Sequence, residues 1–553
     1  MTEPCNIAAV LPRMAAERGE QIAMRCPGSR GLNGLARYDL TLSYRQMEDR
    51  SNAIASGLRQ IGIERGMRTA VMVRPTPEFF LLMFALFKLG AVPVMVDPGI
   101  ARSALKQALV EAEPAAFIGI PLAHAARRLF GWVRSAHIHV TVGRRWFWSG
   151  ATLAQVEALG ANAPSQLVDT APDEIAAILF TSGSTGPPKG VPYRHRHFAA
   201  QVEMLRTAFG VEPGGINLPT FPPFALFDPA MGLTSIIPDM DPTRPAAADP
   251  RRLLDAIERF GVDQLFGSPA LVDVLARHGA PLPGIRRVTS AGAPVPPGVV
   301  AGLRALLPSD ARLWTPYGAT ESLPVAVIEG RELEGTREET ERGAGTCVGR
   351  PVPPNLVRII AISDASLPEW DGRMQLEQGA IGEITVAGPS TTDDYLHRPE
   401  ATAQAKIREH LADGSERIVH RMGDLGWFDA QGRLWFCGRK AHRVLTEIGG
   451  LFTEQVEPVF NVHPDVRRTA LVGVGAKGHQ RPVLCIELQP GVQASEHARI
   501  LAELEHIGQG FAHTGRIETF LIHPKFPVDI RHNAKIGREH LALWSAEQLV
   551  AAR

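Results

Sequence analysis

Short apolar runs alternate with segments of helical period along much of the chain. The run 69–73 (TAVMV) predicts a strand, Pro77–Leu89 a helix opened by proline, and 91–96 (AVPVMV) a second strand after Gly90. The pattern returns as a helix over 253–260, a strand over 264–266, a helix over 270–277 and a strand over 287–290. A repeated β-α-β order requires crossover connections and parallel pairing, so the expected class is layered α/β. The most apolar run, 79–87 (FFLLMFALF), stops at Lys88. That is well short of the roughly 20 residues a membrane span needs, and it reads as a core helix.

Composition narrows the partner more than the fold. At 553 residues and 45% hydrophobic, the chain can bury several cores, the length corresponding to roughly three to four domain-sized units. Fifty-eight basic residues balance 58 acidic ones, so no global field favours nucleic acid, and a small-molecule partner is expected. The five cysteines lie far apart with no CxxC pair, which argues against a disulfide framework or zinc knuckle and fits a reducing cytoplasm. Glu3 precedes the first apolar residues and no uninterrupted apolar core follows, so neither a secretory signal nor an integral membrane segment is expected. Proline and glycine clusters at 351–354 and 449–450 mark turns as readily as linkers. The strand-like 434–437 ends at Gly438, leaving about 115 residues, enough for one small domain.

One segment departs from the alternation. After three apolar residues, 178–190 (ILFTSGSTGPPKG) holds only Thr, Ser, Gly, Pro and Lys. A flexible linker, a turn, or an anion-binding loop would each use that composition. Glycines let amides converge on an anion, while hydroxyls and a lysine add donors. It is no Walker A loop, because GxxxxGK[ST] is absent and Lys189 follows Pro187-Pro188.

TSGSTGPPKG resembles the signature loop of the adenylate-forming superfamily, which includes acyl-CoA synthetases, luciferases and peptide-synthetase adenylation domains. Four further motifs follow in that superfamily's order: SAGAP at 290–294, YGATE at 317–321, RMGDL at 421–425 with Gly438-Arg439, and NAKIGR at 533–538. The resemblance implies a large multi-layer N-terminal domain, 1–438, and a smaller mobile C-terminal α+β domain, 439–553. It implies ATP and Mg²⁺, with Thr181, Ser182, Gly183, Ser184, Thr185 and Lys189 around the β- and γ-phosphates and Thr320 on the α-phosphate. Glu321 would bind Mg²⁺, a hard cation that prefers oxygen. Tyr317 and Gly318 would face adenine opposite Gly292, Ala293 and Pro294; Asp424 would hold the ribose hydroxyls and Arg439 the ribose or phosphate. Lys535 would reach the α-phosphate and the substrate carboxylate, although Ala534 stands where the superfamily has Gly.

The second step is set by departures from this pattern. FPPFALFD at 221–228 replaces the aromatic-His pair of many relatives, and Ala441 replaces the Asp usual after GR-x. Both argue against ordinary CoA chemistry. The stretches 5–28, 73–100 and 221–232 resemble the β-lactone synthetases of bacterial long-chain olefin biosynthesis. That resemblance implies adenylation of a 2-alkyl-3-hydroxy acid, closure onto its own 3-hydroxyl, and other enzymes of an olefin pathway as partners. The alternatives are a long-chain acyl-CoA synthetase and a non-catalytic nucleotide-binding relative. Phe224, Leu226, Phe227, Met231 and Gly267 are expected around the acyl group. RHRH at 194–197 lacks a third ligand nearby and is not expected to bind metal. Trp146-Phe147-Trp148, beside Arg144 and Arg145, fits a partner-facing patch or a buried strand end, and the strand end is the expected reading.

Overall fold

The computed structural model describes residues 5–97, 100–164, 166–181, 188–528 and 536–551. Among these, a seven-stranded sheet runs, in spatial order, through Ala151–Thr152, Ile138–Thr141, Ala116–Gly119, Arg68–Met72, Val92–Val96, Ile175–Thr181 and Lys189–Arg194. Every pair is parallel except the last, where Thr181 stands opposite Lys189 in an antiparallel ladder. The glycine-hydroxyl segment therefore joins two paired strands. A fourteen-stranded sheet has a parallel half that includes Ile216–Pro219, Gln264–Gly267, Arg287–Ser290 and Arg312–Ala319. From Ser322–Glu329 onward it turns antiparallel. Helix Pro77–Leu89 follows the proline signal and is capped by Gly90 in the left-handed region. It is buried on all sides within the largest apolar core, as its unbroken sequence demands.

The C-terminal part is smaller. Strands Val466–Val474 and Arg481–Leu488 pair antiparallel, Phe520–Ile522 adds in parallel, and helices Thr453–Phe460, His497–Gln509 and Arg538–Ala551 accompany them. Phe460, Leu471, Leu484, Ile500 and Leu504 belong to its own core. This is the α+β unit expected from the sequence. No helix among the described residues is long and apolar enough to cross a membrane, and all five cysteines are free thiols.

Two buried polar clusters fix elements that wall the central cavity. On helix Pro77–Leu89, the Lys88 ammonium is wholly buried and donates to Glu48 Oε2 at 2.7 Å, to Asn52 Oδ1 at 2.7 Å and to the Glu48 carbonyl at 3.1 Å. Burial lowers its pKa against the pull of Glu48. Asp228, on the short helix Asp228–Met231, accepts from Asn217 Nδ2 at 2.9 and 3.1 Å and from Ser235 Oγ at 2.5 Å, tying that helix to two strands. Burial pushes its carboxyl up to about 7, although those hydrogen bonds pull the other way.

Glu48→Ala strands a buried ammonium and is expected to cost about 3–5 kcal/mol. Chemical denaturation checks this, and Lys88→Met in the same chain should recover most of the loss. Asp228 keeps its proton in the folded protein over a pH range where the unfolded chain has released it. Stability is therefore expected to fall as pH rises from about 4 to about 7. Denaturation midpoints across that range should flatten in Asp228→Asn.

Candidate active site

A cavity of about 2070 Å³ is lined in part by the carboxyl ends of parallel strands, among them Met72, Val96 and Ala319, where ligands of open α/β sheets bind. Residues 320 and 321 form the turn between Arg312–Ala319 and Ser322–Glu329, with Ala319 opposite Ser322, and both line the cavity. Tyr395 donates its hydroxyl to Glu321 Oε1 at 2.6 Å. The Lys189 ammonium stands 4.8 Å from the centre of the same ring, within cation–π range. Lys189 belongs to the seven-stranded sheet and Glu321 to the fourteen-stranded one, so Tyr395 clasps the two together.

The clasp has its own supports. Thr392 donates its amide (2.8 Å) and hydroxyl (3.2 Å) to the Glu321 carbonyl, and Lys406 donates to the Thr392 carbonyl. Burial pushes Lys406 down to about 8. Tyr193 donates its hydroxyl to the Thr320 carbonyl. Asp393 accepts from Arg194 Nε at 2.6 Å and from Arg196 Nη2 at 2.6 and 2.8 Å. The RHRH segment is thus a clamp on the chain that carries Tyr395.

At the other end of the rim, Asp424 accepts from the Tyr317 hydroxyl through Oδ2 at 2.7 Å. Its Oδ1 is buried with no hydrogen-bond partner among the described residues; Arg439 Nε lies 3.8 Å away. Burial raises the Asp424 carboxyl, opposed by Arg439 and the Tyr317 hydroxyl. Leaving an acceptor dry costs about 1–3 kcal/mol, so the site fits a ligand that brings hydroxyl donors. Glu383, almost wholly buried, holds Arg421 at 2.7 and 3.2 Å and Lys440 at 2.8 Å. One carboxylate therefore locks both the RMGD segment and the residue after Gly438-Arg439.

The remaining walls are apolar. Phe224 stacks on Phe266 at 4.3 Å, Phe227 lies 6.1 Å from Phe224, and Phe198 lies 6.0 Å from Phe227. Phe79, Met83 and Met231 complete this side. Gln264 with Phe266 and Arg287 with Thr289 also line the cavity. Residues two apart share a strand face, so the cavity follows the sheet for the length of its strands.

Of the residues expected from sequence, the cavity is lined by Lys189, Thr320, Glu321, Gly318, Gly292, Asp424, Arg439, Phe224, Leu226, Phe227 and Met231. Tyr317 packs its ring against the core that includes Val325 and Ile384, while its neighbours Pro316 and Gly318 face the cavity. Ala293 and Pro294 follow Gly292 beyond the lining. Gly267 is also off the wall: a side chain there would meet Leu271 and Thr220, and its neighbours Phe266 and Ser268 line the cavity instead. Ser182, Gly183, Ser184, Thr185 and Lys535 lie outside the described residues, as does the side chain of Thr181. Tyr395, Lys406 and Glu383 were not expected. The only sequence hint was a tyrosine two residues before HRPE in a polar stretch.

Comparison with known proteins places the chain in a family. The family model described as AMP-binding enzyme matches residues 12–396. The chain is 68% identical over 550 residues to the olefin beta-lactone synthetase of Xanthomonas campestris pv. campestris, covering 100% of this chain and 99% of that protein. It is 66% identical over 556 residues to the olefin beta-lactone synthetase of Stenotrophomonas maltophilia, covering 99% of each. Among solved structures, the amide bond synthetase McbA from Marinactinospora thermotolerans superposes with a TM-score of 0.76 at 24% identity, covering 97% of this chain and 99% of that one. The anthranilate CoA ligase AuaEII, in complex with anthranoyl-AMP, gives 0.78 at 17%, covering 100% and 99%. These structural likenesses concern the fold. With a cavity rimmed by the YGATE and RMGD residues and a family match over most of its length, the chain belongs to the AMP-binding, adenylate-forming enzymes.

Proposed function

We propose that the protein is an ATP-dependent β-lactone synthetase. It adenylates a long-chain 2-alkyl-3-hydroxy acid and closes it to a β-lactone, releasing AMP and pyrophosphate. The observation that carries this reading is the full-length identity to two olefin beta-lactone synthetases. The cavity agrees with it: at about 2070 Å³ it exceeds the ~300–1,000 Å³ of a common ligand site and has room for a nucleotide beside a branched lipid.

The roles follow from charge. In the first step the substrate carboxylate attacks the α-phosphorus and pyrophosphate leaves, so charge on several oxygens must be neutralised at once. Lys189 and the segment 181–185 would hold the β- and γ-phosphates, and Thr320 and Lys535 the α-phosphate. Asp424 Oδ1 would take the ribose hydroxyls, with Arg439 beside it, and Gly292 gives adenine a close wall. Glu321, with Oε1 already engaged by Tyr395, is the residue that would hold Mg²⁺ between protein and phosphates. The ion would supply charge neutralisation there.

The second step needs no thiol. The 3-hydroxyl attacks the acyl carbon, loses its proton and expels AMP. Holding it in place supplies an effective concentration on the order of 10⁵ M or more, part of which the strained ring consumes. Pro222 and Pro223 stand on the cavity wall where many relatives carry a histidine. We take the junction of the two domains to lie near Gly438. There Lys440 is tied to Glu383 and to the Ser363 carbonyl at 3.0 Å, and Ala441 provides no carboxylate. A cytoplasmic setting suits the demand for ATP, and other enzymes of an olefin pathway would supply the acid and consume the lactone.

Mass spectrometry after incubation with a 3-hydroxy acid and ATP tests the reading. A product lighter than the acid by one water, formed without CoA, is expected; thioester formed only with CoA present would reject it. Lys535→Ala should lower pyrophosphate release by roughly 10²–10³-fold, as for loss of one oriented transition-state charge.

A further inference from the structure

The aromatic segment at 146–148 is no buried strand end. Trp148 is buried: its indole N–H donates to Thr141 Oγ1 at 2.8 Å and its ring stacks on His124 at 5.1 Å. Anchored by it, Trp146 (51% exposed) and Phe147 (76%) stand in solvent. Helix Pro121–Phe130 continues the surface with Leu129 (78% exposed) and Phe130 (39%). Arg128 lies over the Phe147 ring at 5.7 Å and Arg102 over Phe130 at 5.4 Å.

Two independent observations bear on what covers this surface. The first is charge. The whole chain is neutral, yet from Glu113 to Glu157 it has no Asp or Glu between them, and it carries Arg127, Arg128, Arg134, Arg144 and Arg145. None of these five makes an ion pair among the described residues; Arg127 turns its guanidinium onto the buried Phe117 ring, and the other four are exposed. The second is position. Leu122 is 65% exposed on the same helix and, with Ala123 and Ala126, also lines the central cavity. One helix therefore has a face on the acyl cavity and a face on an arginine-rich aromatic surface.

We propose that this surface docks onto an anionic lipid bilayer, with helix Pro121–Phe130 as the port between bilayer and cavity. Exposed Trp and Phe suit the headgroup boundary, and arginines add electrostatic attraction to anionic lipid. An acid with two long alkyl chains resides in membrane rather than water, so docking beside the cavity mouth gives direct access. That last step rests on the proposed substrate; the docking itself rests only on the surface.

The test is co-sedimentation of the full chain with vesicles, without nucleotide or acid, so that its outcome is independent of the lactone assay. Binding is expected to vesicles of phosphatidylethanolamine and phosphatidylglycerol in equal parts, with a blue shift of tryptophan emission, and to be weak on phosphatidylcholine. Arg144→Gln/Arg145→Gln should weaken binding by roughly 30-fold, at about one order-of-magnitude step or less per arginine. Trp146→Ser/Phe147→Ser should abolish the blue shift. Both variants should keep wild-type pyrophosphate exchange on a short, water-soluble hydroxy acid, which shows that they fold. Equal binding to both vesicle types, or wild-type binding by the two variants, would overturn the proposal. So would self-association of the wild type that Trp146→Ser/Phe147→Ser abolishes in the absence of vesicle binding, because a second copy would then cover the surface.

Discussion

The hydrogen bond from Tyr395 to Glu321 is the contact on which the site depends. Glu321 sits in a two-residue turn at the end of one sheet, and Lys189 begins a strand of the other. Tyr395 is a shared partner for a carboxylate and an ammonium supplied by separate sheets, and Tyr193, on the Lys189 strand, adds a second tie through the Thr320 carbonyl. Tyr395 takes one through its hydroxyl and the other through its ring face. It is itself held through Asp393, which two arginines grip, and through the Lys406-Thr392 contacts behind Glu321. Tyr395, Lys406 and Thr392 are buried, where electrostatic contacts are strong and an unpaired partner is costly.

The far end of the rim follows a different logic. Glu321 and Asp393 are engaged by donors of the protein, whereas Asp424 keeps one oxygen without a hydrogen-bond partner among the described residues. Glu383 makes that arrangement rigid by holding Arg421, three residues before Asp424, and Lys440, next to Arg439. In the proposed reading, hydroxyl groups would bind at one end and phosphate charge at the other, which gives the site a direction, and the aromatic walls of the same cavity would receive the acyl group. Among the described residues that aromatic wall carries no histidine, which fits the proposed reaction, whose nucleophile is part of the substrate.

Much of this was legible in the sequence. Helix Pro77–Leu89 carries a proline start and a glycine stop, and 287–290 reads as a strand because β-branched residues lie between turn signals. The motif residues identify the rim because the superfamily's chemistry constrains them individually. Tyr395, Lys406 and Glu383 were not legible, since a supporting residue is defined by its distance in space from a motif it does not belong to. Trp146 and Phe147 misled for a related reason: apolar side chains next to a strand read as buried, and only the fold shows that Trp148 alone turns inward. Gly267 lies one residue from the cavity wall, within the uncertainty of any strand end placed from sequence alone.

The central claim is that this cavity activates a hydroxy acid as its adenylate. Exchange of labelled pyrophosphate into ATP measures that step alone, before any ring closes. With Mg²⁺ and a 2-alkyl-3-hydroxy acid, label should enter ATP, and it should not do so when the acid is withheld. Absence of acid-dependent exchange by folded protein across a range of chain lengths would contradict the account.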